Sequence, residues 1–147
     1  MDELASWAAA FGLNLSPNQL EQFAVYEALL LEWNERISLT AIREPRQIRL
    51  RHFLDSLSCI TVTGSLDGRS LIDIGSGAGF PGIPLKIACP GLELAVVESI
   101  EKKARFLEFV AKSLELAGVT VIADRAEIVG RDPAYREQFD WAVARAV

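Results

Sequence analysis

Three glycines at alternate positions, Gly75, Gly77 and Gly79, follow directly on the apolar run Leu71-Ile72-Asp73-Ile74. Glycine accepts backbone angles closed to other residues and lets a ligand come close to the main chain. A buried strand that feeds such a loop is an arrangement that binds nucleotide cofactors. Dinucleotide loops are spaced G-x-G-x-x-G and lodge a pyrophosphate at a helix N-terminus. Here the spacing is G-x-G-x-G, and Asp73 stands two residues ahead of the first glycine. A carboxylate repels a pyrophosphate and suits a cationic ligand. S-adenosylmethionine carries a sulfonium and an ammonium and no phosphate, so the loop points to that methyl donor rather than to NAD.

A second apolar run, Leu94-Ala95-Val96-Val97, ends in Glu98, twenty-three residues after Gly75. An acid at the tip of the second strand is the usual partner of ribose hydroxyls. Strand, loop, helix, strand and acid thus occur in the order that nucleoside binding requires. The elements that must position them alternate. Strands are predicted at 70–74, 93–98, 119–123 and 139–144, with helices near 83–89 and 100–117. Ser99 is expected to cap the longer helix and Gly118 to end it. This alternation calls for a parallel sheet with right-handed crossovers, whose ligands sit beyond the carboxyl ends of the strands. Gly75 to Gly79, Glu98 and Asp124 to Glu127 all fall just after predicted strands and should meet in one crevice.

Residues before Thr63 read as helices. Asp2 is placed to cap a first helix that ends at Gly12, and Ser16-Pro17-Asn18-Gln19 is a capping box with proline at the first helical position. The helix that follows, to Asn34, carries Leu20, Phe23, Ala24, Leu30, Leu31 and Trp33 on an apolar stripe. Glu44-Pro45 starts a further helix through Cys59. The expected division is a helical cap over 1–64 and a nucleoside-binding sheet domain over 65–147. Val147 follows at once on the fourth strand, so the sheet is expected to be truncated at its C-terminus. The outer edge of Phe139-Asp140-Trp141-Ala142-Val143-Ala144 is then open to self-association.

Composition narrows the partners. Half of the 147 residues are hydrophobic, enough for a sizeable core, and the formal net charge is −5. No apolar run reaches membrane-span length, and the acidic start Met1-Asp2-Glu3 is unlike a secretory signal. Cys59 and Cys89 have no metal-ligand spacing and read as free thiols, in keeping with a cytoplasmic protein. Local charge matters more than the total for nucleic acid. One basic cluster comprises Arg43, Arg46, Arg49 and Arg51 with His52. A second comprises Lys102, Lys103 and Arg105, with Lys112 further on. The first is the candidate for phosphate contact. His52, the single histidine, is expected to hydrogen-bond Asp55 one turn along its helix rather than to act as a base.

Several segments carry a family resemblance. These are Ser38-Leu39-Thr40-Ala41-Ile42, Arg51-His52-Phe53-Leu54-Asp55-Ser56 and the run from Asp73-Ile74-Gly75 through Phe80-Pro81-Gly82-Ile83-Pro84. With Lys102-Lys103, Arg105-Phe106-Leu107, Arg125-Ala126-Glu127 and Arg145-Ala146, they resemble the RsmG (GidB) family. The resemblance implies a Rossmann-like class I methyltransferase fold and S-adenosylmethionine-dependent methylation of guanine N7 in 16S ribosomal RNA, free or in a small-subunit assembly particle. It implies that Gly75 and Phe80 contact the cofactor, that Ala126 and Glu127 lie against its adenine, and that Arg145 faces cofactor and substrate. Gly77 and Glu98 join them from the spacing alone. Neither a catalytic side chain nor a metal is expected, because guanine N7 has an exposed lone pair and no proton to remove. Alternatives are a non-catalytic fragment that retains cofactor or partner binding and, less favoured, a NAD-dependent oxidoreductase.

Overall fold

The computed structural model describes residues 1–145; Ala146 of the family pattern lies outside the described residues. Four parallel strands, β1 (Ser70–Ile74), β2 (Glu93–Val97), β3 (Val119–Ile122) and β4 (Trp141–Ala144), stand in the order β3-β2-β1-β4. The chain steps outward from β1 to β2 and β3, then returns to the other side of β1. The order therefore reverses between β1 and β4, where ligands of such sheets bind. This is a Rossmann-like α/β fold.

The first helices are α1 (Asp2–Ala9) and α2 (Pro17–Asn34). The capping box forms as expected: Gln19 N–H donates to Ser16 Oγ and Ser16 N–H to Gln19 Oε1. Gln19 also donates from Nε2 to the carbonyl of Ile87, 2.9 Å away, so one side chain caps its own helix and ties it to the sheet domain. Asp2 does not cap α1, which starts from Met1 and ends at Ala9, ahead of Gly12. The buried face of α2 is Phe23, Tyr26, Glu27, Leu30 and Asn34, rotated from the expected stripe. Two polar residues sit on it because each is paired. Glu27 binds Arg49 at 2.8 Å, and Asn34 Oδ1 accepts from the N–H groups of Leu39 and Thr40.

The expected single helix from Pro45 is broken up. It runs as α3 (Pro45–Ile48), a widened π-type turn over Arg49–Leu54, then α4 (Asp55–Leu57) and α5 (Ile60–Thr63). Glu44 caps it through Arg46 and Gln47 N–H. Within the wide turn the consecutive side chains of His52 and Phe53 are both buried.

The sheet's own helices are α6 (Gly82–Ala88), α7 (Glu101–Ser113) and α8 (Ala126–Val129). Ser99 does not cap α7, whose first turn has no side-chain cap; the Glu98 carboxylate instead accepts from the N–H of Ile100, the residue before the helix, at 2.8 Å. Nor does Gly118 end it. Glu115 takes the left-handed position (φ 54°) and Leu116 N–H returns to Ala111 O at 2.9 Å, closing the helix earlier. One continuous core joins Leu4, Phe23, Tyr26 and Phe53 of the helices to Leu71, Ile83, Leu94, Val96 and Phe106 of the sheet domain. The first helices thus form an outer layer packed mainly on α6 and α7, which in turn lie on the sheet.

That layer reaches the glycine loop itself. Tyr26 is fully buried and donates its hydroxyl to Ala78 O at 2.5 Å. Gly79 has φ 106°, and a Cβ there would lie 2.5 Å from the same hydroxyl. Tyr26→Phe leaves a buried carbonyl unpaired and should cost about 1–3 kcal/mol, read as a shift in the urea midpoint. Gly79→Ala, with both strain and clash, should cost more than Tyr26→Phe. A Gly79→Ala chain as stable as the parent would contradict this packing.

Candidate functional site

The loop after β1 is built by a carboxylate from below and a carbonyl from the side. Asp73 is fully buried, and its Oδ2 accepts from Ser76 Oγ at 3.0 Å and Gly82 N–H at 2.9 Å. Burial pushes its pKa up to about 7, against the pull of those two hydrogen bonds and of the Arg145 charge. Asp73 therefore acts inside the loop, as its brace, and not on the surface facing a cation as its position suggested. Gly75 and Ser76 N–H both donate to Val97 O at 3.0 Å. Gly75, Gly77 and Gly79 all take left-handed backbone angles, with φ of 68°, 59° and 106°.

Glu98 spans two loops. Its Oε1 accepts from Gly77 N–H at 2.9 Å and its Oε2 from Ile100 N–H, and the side chain is 5% exposed. A carboxylate has about four lone-pair sites, so two acceptor positions remain for a ligand. Beside it opens a cleft of about 260 Å³ lined by Gly75, Val97, Ser99, Asp124, Arg125, Ala126 and Glu127. The three post-strand segments do meet. Gly75, Ala126 and Glu127 line the cleft, and Gly77 is joined to its wall through Glu98.

Phe80 and Arg145 lie in another direction. The Phe80 ring is 6% exposed and stacks on His52, with centroids 4.4 Å apart and planes 9° from parallel. The Arg145 guanidinium sits 5.6 Å from the same ring, donates to Arg51 O at 2.9 Å and lies 3.7 Å from Asp55. It borders a second hollow of about 410 Å³ with Asp55, Cys59, Pro81 and Ala144. His52 does not pair with Asp55. Its Nε2 is 2.7 Å from Thr40 Oγ1, and burial, helped by the Arg145 charge, lowers its pKa to about 4. Thr40 itself is placed by Asn34. The chain Asn34–Thr40–His52–Phe80 and the Tyr26 contact carried no sequence signal, since each partner lies on a different element.

The first basic cluster is partly spent within the fold. Arg46 binds Glu3 and lies 5.5 Å from the Trp7 ring, and Arg49 binds Glu27. Cys59 and Cys89 are free, with burial raising both thiols. Among the described residues no group of His, Cys, Asp and Glu gathers as metal ligands, and no helix is long and apolar enough to cross a membrane.

Asp73 and His52 give opposite pH responses. The Asp73 carboxyl titrates near 3.8 when unfolded and near 7 when folded, so its stabilisation is full below about pH 4 and lost as pH rises through 7. The His52 ring titrates near 6.5 unfolded and about 4 folded, so its stabilisation is full above 6.5 and lost as pH falls through 4. Compared with the parent, Asp73→Asn should therefore lose urea stability as pH falls from 7 to 4, whereas His52→Gln should gain it. Parallel pH profiles for all three proteins would contradict the two burials.

The geometry has relatives. Residues 19–147 match the GidB family model, described as rRNA small subunit methyltransferase G. Over all 147 residues the chain is 55% identical to the ribosomal RNA small subunit methyltransferase G of Roseiflexus castenholzii and 56% identical to that of Roseiflexus sp. RS-1. It spans 62% of the length of each. The Alkaliphilus metalliredigens protein of the same name is 46% identical over 136 residues, covering 92% of this chain and 57% of that protein. A solved structure described as MtNAS in complex with MTA and tNA superposes with a TM-score of 0.56 at 21% identity, over 89% of this chain and 49% of that one, and shares the fold. With a family model matched across the loop, the cleft and all four strands, the chain belongs to the GidB family of rRNA small subunit methyltransferase G proteins.

Proposed function

We propose that this chain forms the cofactor-binding part of an S-adenosylmethionine-dependent enzyme that methylates guanine N7 in 16S ribosomal RNA. The observation that carries the choice of cofactor is the sign of the cleft. Asp124 and Glu127 line it and Glu98 lies beside it in the adjoining loop, against the single lining cation Arg125. A pyrophosphate would meet these carboxylates; a sulfonium and an ammonium are attracted by them. When bound, S-adenosylmethionine supplies an electrophilic methyl group. Gly75 offers backbone to the ligand, Glu98 retains acceptor sites for ribose hydroxyls, and Ala126 and Glu127 open α8 where an adenine edge can be read. Phe80 and Arg145 support the loop from behind and mark the side on which the base arrives.

The nucleophile needs no general base, so the chain's task is alignment in a site of suitable charge. Guanine N7 faces the deep major groove of A-form RNA, closed to side chains, so the target base is read as unpaired or splayed out. Residues 1–64 serve as a helical cap on the 65–147 cofactor domain, and the reading places the protein in the cytoplasm with ribosomal RNA or a small-subunit particle as partner. Among the described residues β4 is an edge strand with Trp141 37% exposed, which supports pairing with a further strand or a second copy there.

Calorimetry with S-adenosylhomocysteine tests the cofactor assignment. The parent should bind it and not NAD. Gly77→Val should abolish binding, because a β-branched residue cannot hold φ near 59° and its side chain would enter open space above the loop. Glu98→Ala should weaken binding by about 1.5–3 kcal/mol. Tight NAD binding with none for the nucleoside would overturn the assignment. Light scattering that finds a strict monomer at all concentrations would overturn pairing with a second copy at β4.

A further inference from the structure

We infer that the corner between the end of α2 and the outer face of α7 is a docking surface for single-stranded RNA; this rests on the RNA-methylating reading and names where the strand beside the target base lies. Lys102, Arg105, Phe109 and Lys112 recur at intervals of three, four and three residues, so they share one outward stripe of α7. All four are exposed, Phe109 by 44%. The Phe109 ring lies 5.4 Å from Trp33 of α2, and the Trp33 ring carries the Arg36 guanidinium 5.0 Å from its centroid. Two adjoining aromatic rings are thus flanked by four cations.

The cations are free for an outside partner. Among the described residues Lys102, Lys112 and Arg36 make no ion pair, and Arg105 meets only Glu101, a pair that is mostly solvent-exposed. Glu101 and Glu108 share the outward side of α7, each one turn before a cation of the stripe, and only Glu101 pairs with its cation. The Arg43–Arg51 cluster offers less, because Arg46 and Arg49 are committed to Glu3 and Glu27. Aromatic faces interleaved with cations suit single-stranded nucleic acid, in which bases stack while phosphates are neutralised. Position agrees with that occupant. α7 starts three residues after Glu98, and Phe109 lies about 12 Å further along its axis. A strand on this stripe therefore runs toward the mouth of the cleft.

Fluorescence anisotropy of a short labelled single-stranded RNA with the full 147-residue chain tests the surface. Phe109→Leu keeps apolar volume and removes the π-face; it should weaken binding roughly 5-fold to 100-fold, and Phe109→Tyr should restore it. Lys102→Gln combined with Lys112→Gln should weaken binding and flatten the log–log salt slope by about 0.7 for each phosphate no longer neutralised. Arg69→Gln, an exposed cation at the opposite end of β1, should leave affinity unchanged. S-adenosylhomocysteine binding, measured on the same proteins, should not move, which separates this surface from the cofactor site. The inference falls if the parent binds no RNA. It also falls if the Phe109 and lysine variants keep parental affinity and salt slope, even where nucleoside binding is intact. Loss of nucleoside binding in the parent would instead count against the methylation reading.

Discussion

A single buried carboxylate sets the shape of everything near the cleft. Asp73 sits at the centre of the sheet with no solvent to stabilise it, and it is tolerable there only because Ser76 and Gly82 donate to it. Those two donors lie on opposite arms of the loop. Holding both draws the chain back over the tip of β1, which in turn starts α6 at Gly82 and lets Gly75 and Ser76 reach the Val97 carbonyl. The left-handed angles of the glycines are the geometric consequence of closing this small circuit. An apolar residue at 73 would bury comfortably and leave both arms without a reason to fold.

The loop is then gripped from the helical layer at two points, by the Tyr26 hydroxyl on Ala78 O and by the His52 ring on Phe80. Arg145 adds a third tie, joining the tip of β4 to the widened turn through Arg51 O and Asp55. The helices are therefore part of the loop's support, and the core that runs unbroken beneath them explains why. Loop, turn and β4 tip form one packed body, in which a shift of any member must be shared by the others.

The strands, the order of the elements and the convergence on a cleft are legible because short continuous apolar runs, typical of buried parallel strands, and glycine spacing are local signals. Distance along the chain places Glu98 at the tip of β2, and its carboxylate there holds the Gly77 amide of the loop, a bond that the spacing does not announce. What escaped was pairing between elements. Asp73 looked like a surface anion because nothing in the sequence says that Gly82 will turn back toward it. His52 was assigned to Asp55 by helical spacing, yet the wide turn rotates it toward Thr40. Ser99 reads as a cap from its place before α7, yet Ile100 takes the cap position and its amide is held by Glu98. Basic residues read alike in a sequence, although Arg46 and Arg49 are already neutralised by acids tens of residues away.

The two bonds made by Glu98 also restrict which residues the position can hold. Both oxygens accept from main-chain N–H groups, one in the glycine loop and one just before α7. Glutamine would turn an NH₂ group toward one of these donors, and aspartate is a methylene too short to span them. Serine or threonine can satisfy at most one. Position 98 is thus closed to the usual conservative exchanges by the backbone itself, before any ligand arrives. Natural variation there would accordingly report a rebuilt loop, whatever had become of the chemistry above it.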